Sequence, residues 1–214
     1  MNKTILLFFL VFLTETVLAT VQRKDSVIYN GYSYHVDYDL MYDYFAINPQ
    51  KQPNLECSST ALSRGYIATF KIIKNEILLK NITILVKKQG YEDCTETTWK
   101  SIINEVFPGQ EKVKVIWYTG LLVLPYHFIS RTDAMYSSIY ERYTIFEIEK
   151  GDIIRERALN TEQFAIFKEK LYQCFKETEE YSKLVKELSN KWNPRLLDSW
   201  LKEYAVGYMK KIIE

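Results

Sequence analysis

The sequence predicts an α+β fold: an antiparallel sheet or partly closed barrel built from four successive hairpins, one short helix in between, and a C-terminal antiparallel helix pair. Three observations predict it. Up to residue 158, apolar residues recur with the two-residue period of half-buried strands, punctuated by turn-forming residues. From Asn160 the apolar period becomes that of a helix. No linker or low-complexity tract divides the two parts, so residues 20–214 read as one domain, with hairpins over 20–158 and a helical hairpin over 160–213.

The first nineteen residues stand apart from that domain. Lys3 precedes an unbroken apolar run from Ile5 to Leu13, and Val17-Leu18-Ala19 places compact residues where a signal peptidase cuts. The run is shorter than the roughly 20 residues that a membrane-spanning helix needs. The expectation is a signal peptide over 1–19, cleaved after Ala19, and an exported chain, periplasmic or secreted, with no integral membrane span once the signal is removed.

The elements follow in order. Val27 to Tyr29, a turn at Asn30-Gly31 and Tyr32 to Val36 make the first hairpin, since Asn-Gly accepts the positive φ angles of a type I′ turn. Gly65 to Ile73, a turn at Lys74-Asn75 and Glu76 to Val86 make the second. Thr98 to Val106 can form a short helix, stopped by Pro108-Gly109. The third hairpin pairs Val113–Trp117 with Leu121–Tyr126 across Thr119-Gly120. The fourth runs from Tyr140 to Ile148, turns at Lys150-Gly151-Asp152 and leaves along Ile153 to Arg157. Neighbouring hairpins favour one antiparallel sheet.

Asn160 and Gln163 then fit a capping box. Phe164, Phe167, Leu171, Cys174, Thr178, Tyr181, Val185 and Leu188 form one helical stripe, interrupted only by Thr178. Asn193-Pro194 ends that helix, and Leu197 to Ile213 line a second.

Composition narrows the function. The net charge is +1, so no long-range field draws the chain to phosphate backbones, and no nucleic-acid partner is expected. Frequent Ile, Lys, Asn and Tyr point to an AT-rich bacterial genome. Of three cysteines, Cys57 and Cys94 fall in polar, loop-like stretches and form the expected disulfide of an exported protein. Cys174 falls on the helical seam, where a thiol acts as a small hydrophobe.

Chemistry is sparse. In the run HVDYD, an extended backbone would turn His35, Asp37 and Asp39 to one side. These are the candidate catalytic residues of a hydrolase or metal-assisted enzyme, and a solvated strand face, with Val36 and Tyr38 packed inward, is the simpler reading of them. Glycine-rich phosphate loops, nucleophile elbows and paired metal-ligand motifs do not occur, so no metal, no cofactor and no catalytic centre is expected. Arg64, directly before a strand, can fork onto a ligand carboxylate or phosphate. It can also bond backbone carbonyls or pair with an acidic neighbour to fix the strand entrance, and these structural roles are the favoured reading. Trp117 and Tyr118, inside IWYTGLLVLPYHF, are candidate binding residues, because such side chains anchor contact patches. Packing into a core accounts for them without a ligand.

Two stretches carry a resemblance: STALSRGYIATFKI over 59–72 and FPGQEKVKVIWYTGLLVLPY over 107–126. Together with Ser137-Ser138-Ile139-Tyr140-Glu141, they resemble a group of uncharacterised bacterial proteins with RGYIATF and DW-[FY]-TG-x-L-x-[LI]-P-[YQ]-G motifs. This sequence departs from the pattern at Ser63, where the group has tryptophan, at Ile116, where it has an acid, and at His127, where it has glycine. The group carries no established activity, so the resemblance transfers no functional residue. The leading expectation is a non-enzymatic binding or interaction module of the cell envelope, immunity-like in one version, with an unknown protein or envelope component as partner. A scaffold assembled through the C-terminal helices is a third expectation.

Overall fold

The computed structural model describes residues 22–131 and 138–213; the expected signal segment and Ser137 lie outside them. β1 (Asp25–Tyr29) and β2 (Tyr32–Val36) form the first hairpin, with Asn30 and Gly31 at φ 49° and 84°. β3 (Tyr66–Ile73) and β4 (Glu76–Lys87) form the second, turning at Lys74 and Asn75 with φ 49° and 60°. Both pairs of positive angles match the type I′ geometry that follows the strand twist. Between these hairpins the chain makes a short helix, α1 (Tyr42–Ile47), and a 3-10 turn at Pro49–Lys51. It returns so that β3 pairs parallel to β1.

The stretch expected to be a helix from Thr98 to Val106 is mostly strand. β5 (Thr97–Ser101) pairs with the outer end of β4, and only α2 (Ile103–Val106) is helical. Thr97, Thr98 and Trp99 prefer a pleated surface, and the free edge of β4 supplies one.

The third expected hairpin does not form. β6 (Val113–Lys114) is a two-residue strand that pairs with Leu78 and Leu79 of β4. The chain then turns through 115–119 and enters β7 (Gly120–Arg131), whose ladder partner is β8 (Ser138–Glu149). The turn at Lys150-Gly151 leads to β9 (Asp152–Asn160), which completes the fourth hairpin. A Cβ on Gly151, at φ 80°, would stand 2.8 Å from the Val115 carbonyl oxygen, so the close approach of these two turns requires glycine.

The sheet runs in the order β2-β1-β3-β4-β9-β8-β7, with β5 and β6 also on β4. Its two halves meet at one residue pair, Glu76 and Asp152, flanked by hydrogen bonds from Ile77 N–H to Gly151 and from Ile153 N–H to Asn75. About that narrow joint the halves fold onto each other. Val27, Phe70 and Leu79 from one half meet Leu122, Leu124 and Phe146 from the other in the main core. The far edges approach through aromatic rings, with Tyr126 5.9 Å from Tyr32 and 6.1 Å from Tyr34, while no ladder joins them among the described residues. The result is one mostly antiparallel sheet that folds over its core and is not closed.

The other face of β7 and β8 packs Leu121, Val123, Tyr143 and Ile145 against the C-terminal helices. Burial on both faces explains why the GLLVLP run is continuously apolar and does not alternate. Three helices follow where the sequence predicts two: α3 (Thr161–Lys176), α4 (Glu179–Leu188) and α5 (Pro194–Tyr208). Asn160 and Gln163 form the reciprocal capping box. Thr178, the single gap in the predicted stripe, caps α4 by accepting from the Tyr181 N–H, and there the helix breaks. The inward face of α3 is Phe167, Leu171, Tyr172 and Phe175, which leaves Cys174 exposed and off the seam predicted for it.

Candidate functional site

The segment after β2 is not extended. β2 ends at Val36, whose side chain is buried, and the chain bends through Asp37 and Tyr38 toward α1. The strand geometry that would turn His35, Asp37 and Asp39 to one side is therefore missing. Asp37 pairs with Lys24 at 2.6 Å on the surface. Asp39 accepts from the Tyr66 hydroxyl at 2.7 and 2.9 Å and from the Met41 N–H at 3.1 Å. The His35 ring is exposed and hydrogen-bonds to no described residue. Among the described residues no group of three His, Cys, Asp or Glu side chains is arranged to hold a metal ion.

Arg64 takes the structural roles, bonding the Arg23 carbonyl at 3.3 Å as well as acidic neighbours. Its guanidinium forks onto Asp25, with both nitrogen–oxygen distances at 3.0 Å, and reaches Asp39 at 3.5 Å. Asp25 is fully buried and also accepts from the Ala68 N–H at 2.8 Å. Burial pushes its carboxyl up to about 6, against the pull of Arg64 and the Ala68 bond. This cluster ties the start of β1 to β3 and to the Asp39 bend.

Trp117 is likewise a structural group. Its indole N–H donates to the Leu40 carbonyl at 2.7 Å, and its ring stacks on Phe107 at 5.7 Å and meets Tyr44 at 4.7 Å. Cys57 and Cys94, the pair favoured on sequence, are bonded to each other with Cα atoms 5.7 Å apart. That removes Cys57 from any thiol–imidazole pair with His127. The His127 ring instead meets Glu141 at 3.1 Å on the surface.

What the fold does assemble is a cleft of about 480 Å³. One wall is the bent segment with His35, Asp37, Tyr38, Asp39, Tyr42 and Asp43. The back is Tyr118 with Val123, Pro125, Tyr140 and Tyr143 of β7 and β8. The opposite wall is Phe164 and Lys168 of α3 with Glu203, Val206, Gly207 and Tyr208 of α5.

The cleft is aromatic and ordered. Phe164 stacks on Tyr143 at 3.8 Å, and the Lys168 ammonium lies 5.5 Å from the Phe164 ring centroid while pairing with Glu203 at 2.9 Å. The Tyr118 hydroxyl donates to the Leu121 carbonyl at 2.8 Å. Tyr38 touches both the main core and the helix-side core, yet its hydroxyl hydrogen-bonds to no described residue. Burial, then Tyr118 and Asp37, holds the Tyr38 hydroxyl far above the ordinary tyrosine range. Burial and then Asp43 raise that of Tyr118. Both hydroxyls are protonated at neutral pH.

Comparison with protein families, with curated proteins and with solved structures finds no match to this chain. The cleft therefore stands on its own geometry. Of the residues singled out in the sequence, His35, Asp37, Asp39 and Tyr118 line it, whereas Arg64 and Trp117 hold its surroundings in place. Tyr38, Asp43, Phe164, Lys168 and Glu203 escape sequence reasoning, because they are brought together from separate elements with no common spacing. The one local sign is the density of tyrosine across 38–44.

Proposed function

We propose that the chain is an exported, non-enzymatic binding module that holds its ligand in the aromatic cleft. The expected export signal over 1–19 places it in the cell envelope or outside the cell, where the partner is another protein or an envelope component. An immunity-like role is one form of this. The observation that carries the reading is the cleft itself, whose volume lies in the range of roughly 300–1,000 Å³ typical of ligand sites. Its acids serve structural pairs. Asp37 binds Lys24, Asp39 binds Tyr66 and Met41, and Glu203 binds Lys168. A catalytic imidazole needs an orienting partner, and His35 has none among the described residues. The hydrolase reading is accordingly the weaker one.

The test uses Gly207. A Cβ there would stand 3.7 Å from Tyr38 Cε1 in ordinary contact, so a leucine at 207 extends into the cleft without disturbing the backbone. A fragment library is screened by thermal shift against the exported wild-type chain and the Gly207→Leu variant. Compounds that stabilise the wild type are expected to lose their effect in the variant. Compounds that stabilise both equally would move binding away from the cleft, and recovery of the chain only in the cytoplasm would overturn the export reading.

A further inference from the structure

We infer that the cleft is a binding site for a small organic cation, an ammonium group carried on an apolar body. The inference rests on the cleft reading and adds the class of ligand. Four carboxylates line the cleft, from Asp37, Asp39, Asp43 and Glu203, against the ammonium groups of Lys24 and Lys168. Three of the four are engaged with partners of the protein's own, as described above. Asp43, in the first turn of α1, forms no ion pair among the described residues.

Among the lining carboxylates Asp43 alone is thus left to a ligand, beside the Tyr38 hydroxyl and the His35 ring, neither of which has a hydrogen-bond partner among the described residues. A carboxylate only accepts hydrogen bonds, and a phenol oxygen accepts as readily as its proton donates. The ligand that satisfies the Asp43 carboxylate and the Tyr38 oxygen together is a donor, and one that also neutralises Asp43 is cationic. Apart from His35 and Ser138, the remaining lining is mostly ring and aliphatic surface, which suits an apolar body and, at the ring faces, a cation. Lys168 already displays the pattern within the protein, with its ammonium over the Phe164 ring and against Glu203. Anionic ligands are disfavoured by the same excess of carboxylates.

The experiment is calorimetric titration of the exported chain with benzylammonium chloride and with benzyl alcohol, two probes of nearly the same shape that differ in charge. Benzylammonium is expected to bind about tenfold more tightly than the alcohol, and added salt is expected to narrow the difference. Asp43→Asn, on the exposed rim and so without effect on the thermal midpoint, removes the preference. Tyr38→Phe keeps the ring and weakens the ammonium more than the alcohol. Equal binding of the two probes, lost together in Gly207→Leu, would overturn the cation assignment while leaving the cleft reading intact. Binding of neither probe at about 10 mM, the weak limit expected of such small ligands, would overturn the inference as well. Undiminished selectivity in Asp43→Asn would do so too.

Discussion

At His127 the backbone of β7 takes φ 55°, a left-handed angle that costs a residue with a Cβ about 1 kcal/mol or more. The ring recovers little from Glu141, since that contact is at the surface and such pairs contribute about 0–1 kcal/mol; its other contact is the Tyr126 ring, 3.8 Å away. His127→Gly, which also restores the motif of the group this sequence resembles, is expected to raise the unfolding free energy by about 0.5–1 kcal/mol. The check is a higher denaturant midpoint at unchanged m-value; a lower midpoint would mean that the ring contacts outweigh the backbone strain. Asp25 presents the opposite case, a buried charge held by Arg64. With its pKa raised to about 6 from an unfolded 3.8, the native chain holds that proton more tightly than the unfolded chain does. The stabilisation is complete below about pH 4 and is lost as pH rises through about 6, amounting to about 3 kcal/mol by pH 7. Asp25→Asn cannot titrate there. Its unfolding free energy relative to the wild type should therefore rise by about 3 kcal/mol between pH 4 and pH 7, and a flat difference would refute the burial argument.

Elements were legible in the sequence where their cause is local. The turns at 30–31, 74–75 and 150–151 are written in residues that tolerate positive φ, and the structure has hairpins at all three. Residues 113–126 were not legible, because alternation shows that a strand is half-buried and not which edge it joins. Val113 and Val115 are buried as their alternation requires, yet β6 pairs with β4 and β7 with β8, choices made by distant partners. The helix break is intermediate. Thr178 was visible as a gap in the stripe, and only its capping geometry turns the gap into an end, with Oγ1 accepting from Tyr181 at 3.2 Å and donating to the Phe175 carbonyl at 2.7 Å. Thr178→Ala should lower the unfolding free energy by about 1 kcal/mol, measured by thermal or denaturant unfolding. No loss would mean that packing against α5, not the cap, sets the boundary between α3 and α4.

For the whole molecule, the candidate site was the least legible feature. Tyr38, Tyr118, Tyr143, Phe164 and Glu203 meet only after the sheet has folded about its narrow joint and the helices have covered β7 and β8. No periodicity within one segment records such a meeting. The disulfide was easier to anticipate, since both cysteines sit in polar stretches outside any apolar pattern. It spans 37 positions and ties the chain ahead of β3 to the loop after β4, enclosing the hairpin on which β1, β5, β6 and the joint to β9 all depend. Closing a loop of that length stabilises by about 4 kcal/mol in the chain-entropy model. For a domain of this size that corresponds to roughly 10 °C in melting temperature. Reduction with dithiothreitol, or Cys57→Ala with Cys94→Ala, should lower the midpoint by that order. The same loss should appear when the chain is made without residues 1–19 in a reducing cytoplasm, where the bond does not persist. An unchanged midpoint in both preparations would show that the bond constrains nothing the core does not already hold, and would remove one physical reason for this fold to be assembled in an oxidising compartment.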